Sequence, residues 1–502
     1  MTRWIRGAGA SLLTTLLLGC AMAGPAAGAD KRERPVATGE IDGFVEDYID
    51  TQGLAGVSVA LLRDGEILYT KGYGHDSSGG AVTADTPMML ASLSKSMTAM
   101  GVMRMVEEGE VELDDPVRDY LPEFDPADRR AERITVRQLL DQTSGMSSSG
   151  LVSPDRQAKG SLKEAVAILE SMELTAEPGT RFQYFNGNYW MLARMIESVS
   201  GEPFGAYLDD AVFSPLGMED STTFENAGRA VSETDGLQSG HTSAYGTAVA
   251  RQEPADFVVG AGSVVSTAAD MARWLAPYTS GGRTAEGEPF VSAATIDAML
   301  TPSDPAGEYA LGWRDGTPDG SDRPRMSHGG TQLSYSAYQG IYHDREYAVA
   351  VLNNSFTLPL ETAYPIAEGV IDIVEGKAPE ESVPVNAISD YVLAALTVLT
   401  AALGTRRLVR APEWAERLSG RSTLRLTARL SPRMLPFALV CGFIALAAAN
   451  GADASLLWIW FAWPALGVWA LAGVVFNLAT VAVRAGFLRR SRSRRAALPH
   501  QP

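Results

Sequence analysis

Past residue 386 the chain changes character too sharply to belong to one water-soluble fold. Apolar runs occupy residues 388–404, 435–449 and 456–483. A helix needs about 20 apolar residues to cross a bilayer, so the third run suffices by length. The first two are shorter, and Asp390 interrupts the first, which leaves interfacial seating open for both. The charges favour three crossings. Eight arginines lie between 406 and 433 and six between 484 and 495, and arginine-rich loops stay on the cytoplasmic side. A path inward, outward and inward again satisfies both clusters and leaves the rest of the polypeptide outside. Trp458, Trp460 and Trp463 then fall near the outer interface, where an indole keeps one apolar face and a wet N–H.

The amino-terminal end carries its own address. Arg3 and Arg6 precede apolar residues 8–18 and then small residues, the layout of a secretory signal over 1–29. Two endings compete. Ala21-Met22-Ala23 and Ala27-Gly28-Ala29 suit ordinary cleavage, whereas Leu17-Leu18-Gly19-Cys20 resembles a lipoprotein lipobox with a bulky Leu18, so ordinary cleavage is preferred. The exported body, residues 30–377, then joins the membrane region, 387–502, through a Pro/Glu-rich stalk at 378–386. Residues 30–403 hold 26 Lys and Arg against 57 Asp and Glu. So acidic a surface repels phosphate backbones and excludes nucleic acid as a partner. Cys20 and Cys441 both sit in apolar stretches, so the body builds neither a disulfide framework nor a cysteine zinc site. His75, His241 and His343 lack metal-ligand spacing, and no metal or other cofactor is called for.

Within the body, residues 41–51 predict a helix through Phe44, Tyr48 and Ile49. Residues 56–62 and 67–73 flank Asp64-Gly65, a strong hairpin turn, and predict two antiparallel strands. A matching pair is expected at 336–342 and 347–353. Helices are expected between them at 95–108, 136–142, 162–172, 189–199 and 268–277. Strands at both ends with helices between imply one sheet closed by distant segments, an α/β domain with a helical insertion. Met97, Met100, Met103 and Met105 read as core filling.

Ser92-Leu93-Ser94-Lys95 sets a hydroxyl and an amine three residues apart at the start of one of these helices, on a shared face. A serine is a poor nucleophile without a base. A desolvated lysine is either neutral, or stays charged and lowers the pKa of a third group. A helix start adds oriented N–H groups for a developing oxyanion. Alone the pair is weak, but companions follow in order. Tyr184 and Asn186 lie two apart within residues 178–186, and His328-Gly329-Gly330-Thr331 precedes the terminal strands. In isolation Tyr184 and Asn186 would be packing residues, and only the ordered set singles them out.

In that order the residues resemble the serine β-lactamase and penicillin-binding protein superfamily, in the class C β-lactamase-like branch that includes esterases, D-amino-acid peptidases and D,D-carboxypeptidases. The likeness extends over residues 41–375 and takes in Thr143-Ser144-Gly145-Met146, Pro215-Leu216-Gly217-Met218 and Tyr309-Ala310-Leu311-Gly312-Trp313. It implies a β-lactamase-like antiparallel sheet flanked by helices, with an inserted all-helical subdomain. It implies that Ser92 forms an acyl-enzyme, that Lys95 and Tyr184 share the proton traffic, and that Asn186 holds Lys95 and the substrate's amide oxygen. The backbone N–H groups of Ser92 and Thr331 would form the oxyanion hole, on a strand that Gly329 and Gly330 keep open, and water would complete the reaction.

Two departures stand out. Phe185 replaces the serine often found between the tyrosine and the asparagine, and His328 stands where the superfamily usually has lysine. Histidine, with an ordinary pKa near 6.5, is mostly neutral at pH 7. Attraction for a substrate carboxylate weakens accordingly, which favours esters or aminoacyl substrates over β-lactams and peptides ending in a free D-Ala carboxylate. The expected protein is a membrane-anchored extracytoplasmic serine hydrolase acting on a small-molecule, peptide or ester substrate, cell-wall material included. The competing reading is a catalytically weak penicillin-binding domain that senses cell-wall peptide and signals through the membrane helices.

Overall fold

The computed structural model describes residues 37–150, 160–318, 323–439, 441–442 and 460–496. The expected export signal and most of the second apolar run lie outside the described residues, and so does Trp458.

In chain order, α1 (Thr38–Gln52) leads into β1 (Gly56–Arg63) and β2 (Glu66–Gly74). Asp64 and Gly65 both adopt positive φ, as a two-residue hairpin turn requires. Next come α2 (Ser94–Glu108), α3 (Val136–Leu140), α4 (Leu162–Glu170) and α5 (Asn186–Ser200). The helical insertion also carries a hairpin that alternation did not announce, β3 (Gly240–Ala244) and β4 (Thr247–Arg251). Its turn, Tyr245-Gly246, has positive φ at both residues. After α6 (Ala268–Ser280) the chain returns to strands: β5 (Arg314–Asp315), β6 (Arg325–Thr331), β7 (Ser336–Tyr342), β8 (Tyr347–Asn353) and β9 (Ser355–Phe356).

The main sheet is antiparallel throughout, in the order β2-β1-β8-β7-β6-β5. β1 and β8, from opposite ends of the body, pair inside the sheet, registered Ala60 on Ala350. Both strands are buried almost end to end, because α6 covers one face while α1 and α7 (Ala363–Val374) cover the other. β9 runs parallel to β3 in a second, three-stranded sheet with β4.

Helix α2 sits at the centre. It is buried on all sides from Ser94 to Met103, and its methionines join the sheet residues Ala60, Leu62, Ala350 and Leu352 to Tyr189, Met191 and Leu192 of α5 in one continuous core. Each such side chain contributes about 1.5–3 kcal/mol. A buried polar line keys the helix to the sheet: Trp274 Nε1 donates to Gln339 Oε1 at 3.0 Å, and Gln339 Nε2 donates to Ser96 Oγ at 2.9 Å. α2 therefore cannot slide along the sheet without breaking hydrogen bonds that water cannot replace.

The first apolar run forms α8 (Val385–Val409), longer at both ends than the run itself, and the third ends in α11 (Pro464–Ala496). At 1.5 Å per residue the 25 residues of α8 reach about 37 Å, enough to cross a bilayer. Both helices are long and apolar enough to span, with mean hydropathy 1.6 and 2.0. Val392, Val398, Leu399, Leu471 and Val475 are exposed on them. Between them lie α9 (Ala411–Leu418) and α10 (Thr423–Leu430). Asp390, the carboxylate that interrupts the first run, faces the body: it is 1% exposed and accepts hydrogen bonds from Tyr245 N at 2.6 Å and Trp463 Nε1 at 2.7 Å.

Candidate active site

Ser92 lies in a 3₁₀ turn, Ala91–Leu93, that runs directly into α2. Ala91, just before it, has φ 49°, a left-handed conformation that costs a residue with a Cβ about 1–2 kcal/mol. Neighbouring hydrogen bonds hold it there. Leu90 N donates to Val264 O at 2.9 Å, while Ser94 Oγ donates to Ala91 O at 2.7 Å and accepts from Val264 N at 3.0 Å.

One turn on, Lys95 is fully buried. Its Nζ donates to Ser92 Oγ at 3.1 Å and to Ala261 O at 2.7 Å, and Thr98 Oγ1 donates to Gly260 O at 2.7 Å, so the first turn of α2 is stitched to residues 260–264. Among the described residues no carboxylate pairs with Lys95. Burial pushes its pKa down, and interaction with Tyr184, whose ring centroid lies 4.9 Å from Nζ, opposes that shift. The neutral amine thus gains on the ammonium.

Tyr184 comes from the loop before α5, and its hydroxyl donates to the same Ser92 Oγ at 3.1 Å. The loop is held by Gln142, which sequence reasoning passed over although it adjoins Thr143-Ser144-Gly145. Gln142 has φ 63°; its carbonyl accepts from Gln183 N at 2.8 Å, and its Oε1 accepts from Phe185 N at 2.9 Å and Asn188 Nδ2 at 2.5 Å. Phe185 is buried beneath the loop, 6.3 Å from the Trp190 ring. Asn186 begins α5 and lines the cavity beside Ser92. Its expected grip on Lys95 is absent: the amine is buried below Ser92 and spends its hydrogen bonds on Ser92 and Ala261, while Asn186 is exposed on the cavity wall.

β6 supplies the opposite side. Its outer edge is covered by β5 only at Met326 and Ser327, so Gly329 to Thr331 have no strand neighbour on that side. A Cβ built on Gly330 would meet Leu90 O at 2.4 Å and Ser92 N at 3.0 Å, so only glycine lets this strand approach the nucleophile's turn. A Cβ on Gly329 would meet nothing within 4 Å, and Thr331 lines the cavity. His328 is buried, its Nδ1 bonded to Gly329 O at 2.7 Å and its Nε2 to the Tyr309 hydroxyl at 3.1 Å. A carbonyl can only accept, so Nδ1 carries the proton and Nε2 accepts from Tyr309. Burial raises the Tyr309 pKa well above 10 and keeps it a donor. Burial, then the nearby Lys95, push the His328 pKa from 6.5 down to about 4. Tyr309 reaches the site because Gly312, with φ 77°, packs onto the backbone of Lys95 and Ser96.

Beside Ser92 lies a cavity of about 420 Å³. Ser92, Asn186 and Thr331 line it together with Glu253, Asp256, Phe356 and Phe461, and among the described residues no lysine or arginine does so. Glu253 is buried, which raises its pKa, and its Oε1 accepts from Ser334 N and Oγ. No cluster among the described residues could hold a metal ion. An alcohol touched by an amine and a phenol, beside a free strand edge and a cavity, is equipped for nucleophilic acyl transfer.

A family model described as Beta-lactamase matches residues 41–368. Protein flp of Staphylococcus aureus (strain MRSA252) is 25% identical over 329 residues, covering 63% of this chain and 62% of the relative, so less than two thirds of that protein's length is matched. Among solved structures, the octameric penicillin-binding protein homologue from Pyrococcus abyssi is similar with a TM-score of 0.58 at 27% identity, over 71% of this chain and 81% of that one. EstCE1, a hydrolase with promiscuous acyltransferase activity, is similar in fold, with a TM-score of 0.55 at 20% identity over 67% and 98% of the two chains.

Proposed function

Since the chain belongs to the beta-lactamase family, we propose that it is a serine hydrolase that forms an acyl-enzyme at Ser92 on esters or amides, held at the membrane by α8 and α11 with its body outside. One observation carries the reading: Lys95 Nζ and the Tyr184 hydroxyl converge on one Ser92 Oγ, each at 3.1 Å.

The steps follow from those contacts. With Lys95 neutral, Ser92 donates to Nζ across the same 3.1 Å, and Oγ attacks the substrate carbonyl as Nζ takes the proton. The N–H groups of Ser92 and Thr331 receive the oxyanion. As the tetrahedral intermediate collapses, the bond to the leaving oxygen or nitrogen breaks. The proton passes through the more exposed Tyr184 to that leaving atom. Water then attacks the Ser92 ester, an acid is released, and Ser92 regains its hydrogen. Asn186 is assigned to the substrate's polar side on the cavity wall.

The neutrality of His328 bears on the substrate. A group that protonates only near pH 4 offers no cation to a carboxylate at pH 7. Substrates without a carboxylate at that subsite are favoured. The test uses the purified full-length protein in detergent. Ser92→Ala should lower hydrolysis of p-nitrophenyl acetate by at least about a thousandfold and abolish fluorophosphonate labelling, with an unchanged circular dichroism spectrum. Undiminished turnover in that variant refutes the assignment.

A further inference from the structure

One wall of the Ser92 cavity is contributed by the membrane region. Phe461, three residues before α11, lines the same cavity as Ser92, beside Phe356 of β9. Its seat is built from several sides. Thr242 Oγ1 of β3 donates to Phe461 O at 3.0 Å, and the Arg251 guanidinium of β4 lies 5.1 Å from the Phe461 ring centroid. The β3–β4 turn in turn docks on α8 through Tyr245 N and Asp390, which also takes the Trp463 indole N–H. Asn386 donates to Thr357 Oγ1 and Leu360 O and accepts from Leu360 N, tying the start of α8 to the segment after β9.

These contacts set the distance between cavity and bilayer. Ile388, Tyr391 and Val392, flanking the docked Asp390, are 50%, 59% and 54% exposed, so the uncovered apolar face of α8 starts at the docking contact. The other spanning helix begins at Pro464, within the apolar run 456–483. The chain from Phe461 to Pro464 reaches at most about 11 Å. With α8 and α11 in the membrane, the cavity that holds the nucleophile opens at the bilayer surface.

We propose that the substrate is a membrane-resident amphiphile whose head presents the ester or amide to Ser92 while its apolar chain lies against Phe356 and Phe461. The inference rests on the Ser92 hydrolase reading and on α8 and α11 crossing the membrane. A volume of about 420 Å³ admits the head and the first part of a chain, and the remainder of the chain stays in the bilayer.

The experiment places the full-length protein in phosphatidylcholine vesicles and compares two fluorophosphonates of identical warhead, one with a dodecyl chain that resides in the bilayer and one with a short water-soluble ether chain. The dodecyl probe is expected to label Ser92 about tenfold faster or more, a ratio that two methylenes buried against the two phenylalanines suffice to give. Phe461→Asp shares the same bilayer, and hence the same probe partitioning, yet should lower that ratio severalfold. Phe461→Ala is made alongside in case the aspartate variant fails to insert. Equal or faster labelling by the water-soluble probe overturns membrane delivery and leaves the hydrolase intact, and a ratio unaffected by both variants also overturns it. Absence of labelling by either probe removes the hydrolase reading itself.

Discussion

Replacing Gly330 by alanine adds a single methyl group where β6 meets the nucleophile's turn. The new Cβ would lie 2.4 Å from Leu90 O and 3.0 Å from both Ser92 N and Leu93 Cδ1. Ordinary contacts need about 3.5 Å, so strand and turn must part by about 1 Å. Neither can yield freely. Leu90 is held by Val264 through its N–H and by Leu93 through its carbonyl, while Gly330 is registered against Ala337 of β7. Overpacking of this kind costs about 1–3 kcal/mol. A shift of about 1 Å between Thr331 N–H and Ser92 lowers turnover by about a hundredfold. The assay is the thermal midpoint of the full chain in detergent together with kcat/KM for p-nitrophenyl acetate. Gly329→Ala is the control for stability, because its Cβ meets open space. If Gly330→Ala keeps the wild-type midpoint and its kcat/KM within a factor of about three, or if Gly329→Ala is equally destabilised, the close approach does not hold the site together.

Two further outcomes are expected. His328 is buried with its pKa lowered from 6.5 to about 4, so below pH 6.5 the unfolded chain takes up a proton that the folded chain refuses. Its contribution is present above pH 6.5 and is lost as the pH falls toward 4, by about 3 kcal/mol in all; thermal midpoints of wild type and His328→Gln across that window should converge or cross on acidification, and a constant difference contradicts the assignment. Gln142→Ala strands Phe185 N and Asn188 Nδ2, the donors that Gln142 Oε1 now satisfies, at about 1–3 kcal/mol each. It should lower kcat more than it raises KM by displacing Tyr184, and an unchanged kcat would show that the loop holds itself.

The readable parts of this molecule share one property: each is announced by residues close together in the chain. Asp64-Gly65 between two apolar stretches identifies a hairpin whatever surrounds it, and β7 and β8 occupy the expected residues 336–342 and 347–353. The spacing of Ser92 and Lys95 puts hydroxyl and amine on one helical face for the same reason. The β3–β4 hairpin escaped notice because its strands alternate poorly and its turn is Tyr-Gly, a pair whose left-handed first residue is stabilised by the docking of Tyr245 on Asp390.

Propensity, periodicity and charge act over a few residues, so they made the sheet-and-helix body and the apolar carboxyl-terminal helices legible, whereas Ser92, Lys95, Tyr184 and His328 stood out only as an ordered set that resembles a known family. Tertiary structure decided everything that depends on distant segments meeting: the Lys95 amine resting on Ala261 O, Asn186 left on the cavity wall, the neutral His328 under Tyr309, and Phe461 beside Ser92 in one cavity. Backbone carbonyls are the same in every residue, and desolvation is a property of the space around a group, so neither leaves a mark in the order of the amino acids.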